Sequence, residues 1–212
     1  MEEQEHGSSH LSETTRLEGF SDGVFGIAIT LLVLEIRLPV TADPAKAGSL
    51  VPALLNLWQI YLAYITSFLS ICVLWVGHHD LFRIIRRVDR PLLFMNAGLL
   101  MVITFLNFPT VIMDEYFRQP DAQIAALFYS GTLFVIALLF NAIWRYAASS
   151  PALLKENFDP VLGREFTRQY LVRPVGYFVA VLLAFVNATL CIFVCLLVLV
   201  FFALSLRWHK RP

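Results

Sequence analysis

The sequence predicts an all-α integral membrane protein of six transmembrane helices, and three observations carry that prediction. Of 212 residues, 58% are hydrophobic and 15% charged, and mean hydropathy is +0.69, values that depart from those of a soluble domain. The apolar residues gather in runs long enough to cross a hydrocarbon core of about 30 Å as helix, the one single-segment structure that satisfies its own backbone there. Lys and Arg, finally, fall unevenly on the two sides of those runs.

Taken in order, the first fifteen residues are polar and acidic (Glu2, Glu3, Glu5, Glu13). They lack the basic start and apolar core of a signal peptide, so residues 1–15 read as a cytosolic tail. Crossings are expected near 20–36, 54–77, 92–113, 122–146, 170–186 and 188–206, followed by a cytosolic tail at 207–212, all within one domain spanning 1–212. Trp58, Tyr61, Trp75, Tyr116, Trp144 and Tyr146 suit the membrane interfaces at the ends of these runs. Pro39, Pro44 and Pro52 punctuate the first loop, Pro91 suits a helix start, and Pro151 and Pro160 mark the fourth loop. Pro109 is expected to kink the third crossing. The fifth and sixth come from one run that is too long for a single crossing, and Asn187, the polar residue near its middle, is the expected break.

With the amino terminus inside, thirteen basic residues lie on the inner side: Arg16, Arg83, Arg86, Arg87, Arg90, Arg145, Lys155, Arg164, Arg168, Arg173, Arg207, Lys210 and Arg211. Three lie outside: Arg37, Lys46 and Arg118. This asymmetry predicts a multi-pass plasma-membrane protein with both termini cytosolic. Glu35, Asp43, Asp114, Glu115 and Asp121 then give the outer side a small acidic surplus that attracts cations.

A net formal charge of zero provides no field for nucleic acid. Cys72, Cys191 and Cys195 all lie in apolar runs, where a thiol packs as a small hydrophobe, so neither a disulfide framework nor a metal site is expected. Gly-rich phosphate loops and the common hydrolase motifs are absent from the sequence, which argues against an enzyme and against a bound cofactor. His78 and His79 are adjacent and so do not face one another, which is poor geometry for a metal pair. Asn96, Thr104 and Asn107 in the third crossing suit interhelical hydrogen bonds. Arg83, Arg86, Arg87 and Arg90 recur at helical spacing and suit contact with anionic lipid as well as orientation.

The first crossing carries the strongest functional signal. On a wheel of about 100° per residue, Phe20, Ile27, Leu31 and Leu34 form one narrow apolar stripe, with Gly19, Gly23, Gly26 and Thr30 as a small-residue ridge beside it. Asp22 points nearly the opposite way, flanked by Ser21. Read from these residues alone, the stripe fits a lipid-facing or helix-facing surface better than a pore, and the Asp22 carboxylate fits a helix-locking partner for a basic group.

Arg16-x-x-x-Phe20-Ser21-Asp22, followed by Ile-x-x-Thr-Leu-x-x-Leu, resembles the first helix of the transmembrane protein 175 family of potassium channels, in its short prokaryotic form. Trp75-x-x-His78-His79-x-Leu81-Phe82, Asn96 and Phe108-Pro109-Thr110 extend the resemblance. It implies a homotetramer in which the first helices line a central potassium path. Ile27, Leu31 and Leu34 would then form successive hydrophobic rings that gate by dewetting, and Thr30 would supply hydroxyls just beyond the first ring. Arg16, Ser21, Asp22 and one imidazole of His78 or His79 would form a polar network near the cytoplasmic side. The expected partners are further copies of the chain, membrane lipid and the permeating potassium ion. Two alternatives remain: a weakly selective cation or proton channel on the same scaffold, and a non-conducting membrane scaffold or sensor.

Overall fold

The computed structural model describes residues 12–36, 50–155 and 160–208. Its helices are α1 (Thr15–Leu31), α2 (Leu50–Asn56), α3 (Trp58–Phe82), α4 (Arg90–Phe105), α5 (Asn107–Tyr116), α6 (Ala122–Ser149), α7 (Pro160–Ala184) and α8 (Ala188–Trp208), and α1 tightens into a 3-10 turn over Leu32–Glu35. Residues 1–11 of the expected N-terminal tail lie outside the described residues, as do Arg37, Pro39, Asp43, Pro44, Lys46, Lys210 and Arg211.

Four stretches among the described residues are long and apolar enough to cross a membrane: Thr15–Leu34, Tyr64–Phe82, Arg90–Tyr116 and Ala122–Ser149. Ala188–Leu204 is a shorter apolar helix. The fifth expected segment coincides with the second half of α7, whose first half carries Arg164, Glu165 and Arg168.

The breaks follow from side chains that supply or withhold backbone partners. Asn187 Oδ1 accepts from the N–H groups of Thr189 at 2.8 Å and Leu190 at 3.1 Å, an N-cap that starts α8 at the break expected from sequence. Pro109 has no N–H for the Phe105 carbonyl, and its ring crowds that group. The helix is accordingly interrupted at Leu106 alone, which keeps helical torsions and whose N–H bonds back to Ile103 O at 3.1 Å, so α4 and α5 meet at a one-residue break within one apolar stretch, in keeping with the expected kink. Pro174 withholds the N–H that the Tyr170 carbonyl would receive inside α7, and Asn141 Nδ2 of α6 donates to that carbonyl at 2.7 Å. Asp89 caps α4 through Leu92 N–H at 3.0 Å, with Pro91 in the first turn, and its second oxygen accepts from the Tyr146 hydroxyl at 2.6 Å.

Helix α6 is the centre of the bundle, packing against α4, α5, α7 and α8, while α1 packs against α3 and α4 at its side. Cys191 and Cys195 are buried in α8. Arg173, counted above with the inner basic residues, is buried in α7 with its guanidinium over the rings of Tyr170 and Phe202, and it adds nothing to the loop asymmetry.

One end of the bundle is tied by backbone bonds. Strand β1 (Ser12–Glu13) pairs antiparallel with β2 (Arg87–Val88), Ser12 opposite Val88 and Glu13 opposite Arg87. Arg86 N–H donates to Leu153 O at 2.8 Å and Lys155 N–H to Ile84 O at 3.2 Å. The segment leading into α1, the α3–α4 linker and the α6–α7 linker thus meet at one end.

Candidate ion path along helix α1

Three glycines lie within α1, each worth about 1 kcal/mol against helix in water. In an apolar medium the unbonded backbone costs more, and the helix persists. Its two faces differ sharply. Ser21, Phe25, Ala28 and Leu32 are 0%, 1%, 2% and 1% exposed and face the bundle. Phe20, Ile27, Leu31 and Leu34 are 61%, 61%, 48% and 66% exposed and point away from it. Beside them, a Cβ added at Gly19, Gly23 or Gly26 would meet no atom within 4 Å, so the small-residue ridge is also uncovered.

Thr30 lies on the same outer side, where its hydroxyl donates to the Ile27 carbonyl at 2.9 Å. With its hydrogen used in this way, the oxygen keeps lone pairs for a cation.

At the opposite face a buried polar chain joins three helices. Asn96 Nδ2 of α4 donates to Ser21 Oγ of α1 at 3.0 Å, and Asn96 Oδ1 lies 2.8 Å from His78 Nε2 of α3. An amide oxygen can only accept, so His78 donates from Nε2. All three residues are essentially inaccessible, and the imidazole is held between Phe25, edge-on at 5.4 Å, and Phe82, stacked at 4.4 Å. Leaving any of these groups unpaired would cost about 1–3 kcal/mol.

The structure therefore brings Ser21 and His78 together through Asn96. Asp22 is placed otherwise: its Oδ1 accepts from the Trp75 indole N–H at 2.8 Å. His79 lies beside the same indole, ring centroids 6.2 Å apart. Arg16 is exposed, and among the described residues no bond links it to Asp22 or to either imidazole. Sequence reasoning treated Trp75 as an interfacial anchor and missed it as the partner of Asp22; the signal available was the indole N–H, a donor that seeks an acceptor. Asn107 Nδ2 reaches the Ala28 carbonyl at 3.4 Å, an interhelical bond as expected. Thr104 instead bonds within its own helix, to Met101 O at 2.9 Å.

Comparison with known proteins gives concordant results. Residues 16–106 match the family described as endosomal/lysosomal potassium channel TMEM175. A potassium channel of Chamaesiphon minutus is 45% identical over 193 residues, covering 91% of this chain and 95% of that protein. A potassium channel of Streptomyces collinus is 40% identical over 181 residues, 85% of this chain and 86% of its own length. The crystal structure of a lysosomal potassium-selective channel TMEM175 homolog from Chamaesiphon minutus superposes with a TM-score of 0.79 at 42% identity, covering 91% of this chain and 97% of that one.

Proposed function

The chain belongs to the TMEM175 family, and we propose that it conducts potassium ions passively across a membrane along a path lined by α1 helices from four copies. It is a channel and not an enzyme. The observation that carries the reading is the two-faced exposure of α1: its inner face is closed by its own protomer, while Ile27, Leu31 and Leu34 are left open. An apolar stripe alone suits lipid equally well. The bare ridge of Gly19, Gly23 and Gly26 favours another copy, because small residues allow helix backbones to approach, whereas against acyl chains they leave packing unmade.

In this reading each subunit crosses six times, with α4 and α5 together forming the third crossing, and both termini lie in the cytosol of a plasma membrane. Ile27 forms the narrowest ring, and Leu31 and Leu34 form wider rings outward. Apolar rings of this kind exclude water, and conduction requires that they widen. A narrow wet path favours the cation that sheds hydration more cheaply, which is potassium over sodium, and the Thr30 oxygens replace part of the lost shell. Arg16, Ser21, Asp22, His78 and His79 act in assembly and in holding α1, not in choosing the ion.

Reconstitution into liposomes tests the reading. Wild-type protein should carry a potassium flux; Ile27→Asn, which hydrates the narrow ring, should raise leak several-fold, and Leu34→Ala should have a smaller effect. Unchanged flux in both variants would remove α1 from the path. Reversal potentials under potassium, sodium and proton gradients separate a potassium channel from a weakly selective or proton-permeable one, and no flux at all would favour a non-conducting scaffold.

A further inference from the structure

Three hydrogen bonds from other helices reach α1 among the described residues, and they divide it unevenly. Two lie at its inner end, Trp75 to Asp22 and Asn96 to Ser21. The third, from Asn107 Nδ2 to the carbonyl of Ala28, is the one polar contact among the described residues between α1 and the rest of the protomer outward of Phe25. Its position is informative on both sides. Ala28 stands one residue beyond Ile27 and one turn before α1 tightens into the 3-10 turn at Leu32. Its small side chain is buried, which lets another helix come close enough to meet the backbone. Asn107 opens α5 immediately after the break at Leu106, the place where Pro109 withholds a helical hydrogen bond. Leu106 and Pro109, on either side of it, are both buried, which fixes the backbone that carries the amide.

We propose that Asn107 is a positioning residue for the conduction path: its amide tethers the α1 backbone between the Ile27 and Leu31 levels to the α4–α5 break. The inference rests on α1 lining that path. A donated side-chain bond at a mid-helix carbonyl adds to the ladder bond there and fixes the local helix geometry. The residues beyond it, Leu31 and Leu34, are exposed and have little of the protomer to hold them. With the tether made, the outer half of α1 follows α5; without it, that half is held by Leu32 and apolar packing alone.

The test combines Asn107→Leu, of similar volume but with no donor, with a Leu34→Cys reporter reconstituted in liposomes in a background lacking the native cysteines. A bond of this kind shifts a two-state balance by roughly three- to tenfold. Asn107→Leu is expected to raise both potassium leak and the rate of thiol modification at position 34 by that factor, and Asn107→Gln, which keeps the amide donor, to recover most of the change. Asn107→Ser, too short to reach the carbonyl, repeats the measurement should the leucine variant fail to assemble. Leak and modification rates that stay at the wild-type level, or fall, in a correctly assembled donor-free variant overturn the tether. A Leu34→Cys side chain that is unreactive in the otherwise native channel overturns the α1-lined path itself, so the two failures are told apart.

Discussion

At the residue scale, Asn96 is placed to matter more than its unremarkable type suggests. Its amide uses both ends, giving a hydrogen to Ser21 and accepting one from His78, with no water-accessible alternative for any of the three. Asn96→Leu keeps the volume and strands a buried imidazole N–H and a buried hydroxyl, so it should lower stability by about 1–3 kcal/mol. For a chain of this size that corresponds to a fall of several degrees in Tm, read by thermal unfolding in detergent. Asp22→Asn is the contrasting case. It retains an oxygen for the Trp75 indole and lies at an exposed bond, so its effect on Tm should be small by comparison. A large loss from Asp22→Asn would mean that the carboxylate charge itself is needed, as in the basic partner expected from sequence.

At the element scale, the helices are defined by where backbone partners are withheld and who replaces them. Pro174 leaves a carbonyl that Asn141 satisfies, Pro109 interrupts the hydrogen-bond ladder within the third crossing, and Asn187 starts α8. Contact between α7 and α8 is set by Gly176, where an added Cβ would lie 2.7 Å from Val198 Cγ2. Gly176→Ala should therefore overpack this seam and cost about 1–3 kcal/mol. Val198→Ala in the same chain should return much of the loss, because it removes the methyl that the new Cβ strikes. Thermal unfolding of the two single variants and the double variant checks this as a cycle; additive losses would place the strain elsewhere.

At the scale of the whole molecule, one protomer has an open face along α1 and a closed one behind it. If copies meet on the open face, Ile27→Cys in a chain without Cys72, Cys191 and Cys195 should form oxidant-dependent disulfide-linked dimers within an assembly of four, whereas Ala28→Cys, facing its own bundle, should not. Non-reducing gel electrophoresis reads the outcome, and equal cross-linking at both positions would deny the axis. The membrane class, the break at Asn187 and the two faces of α1 were legible in the chain alone, because hydropathy, the capping preference of a polar residue within an apolar run and a period of about 3.6 residues are local properties. Part of the site was legible on the same terms: the exposed stripe from Ile27 to Leu34 follows from spacing, and Ser21 and His78 were grouped through the family resemblance. The partners were set by helix packing. Asp22 accepts from Trp75, Asn96 mediates between Ser21 and His78, Asn107 meets Ala28, and Arg173 leaves the loop for the bundle. Such bonds join residues about eighteen to eighty positions apart, and which donor reaches which acceptor is settled by how whole helices pack, a quantity that no local pattern encodes.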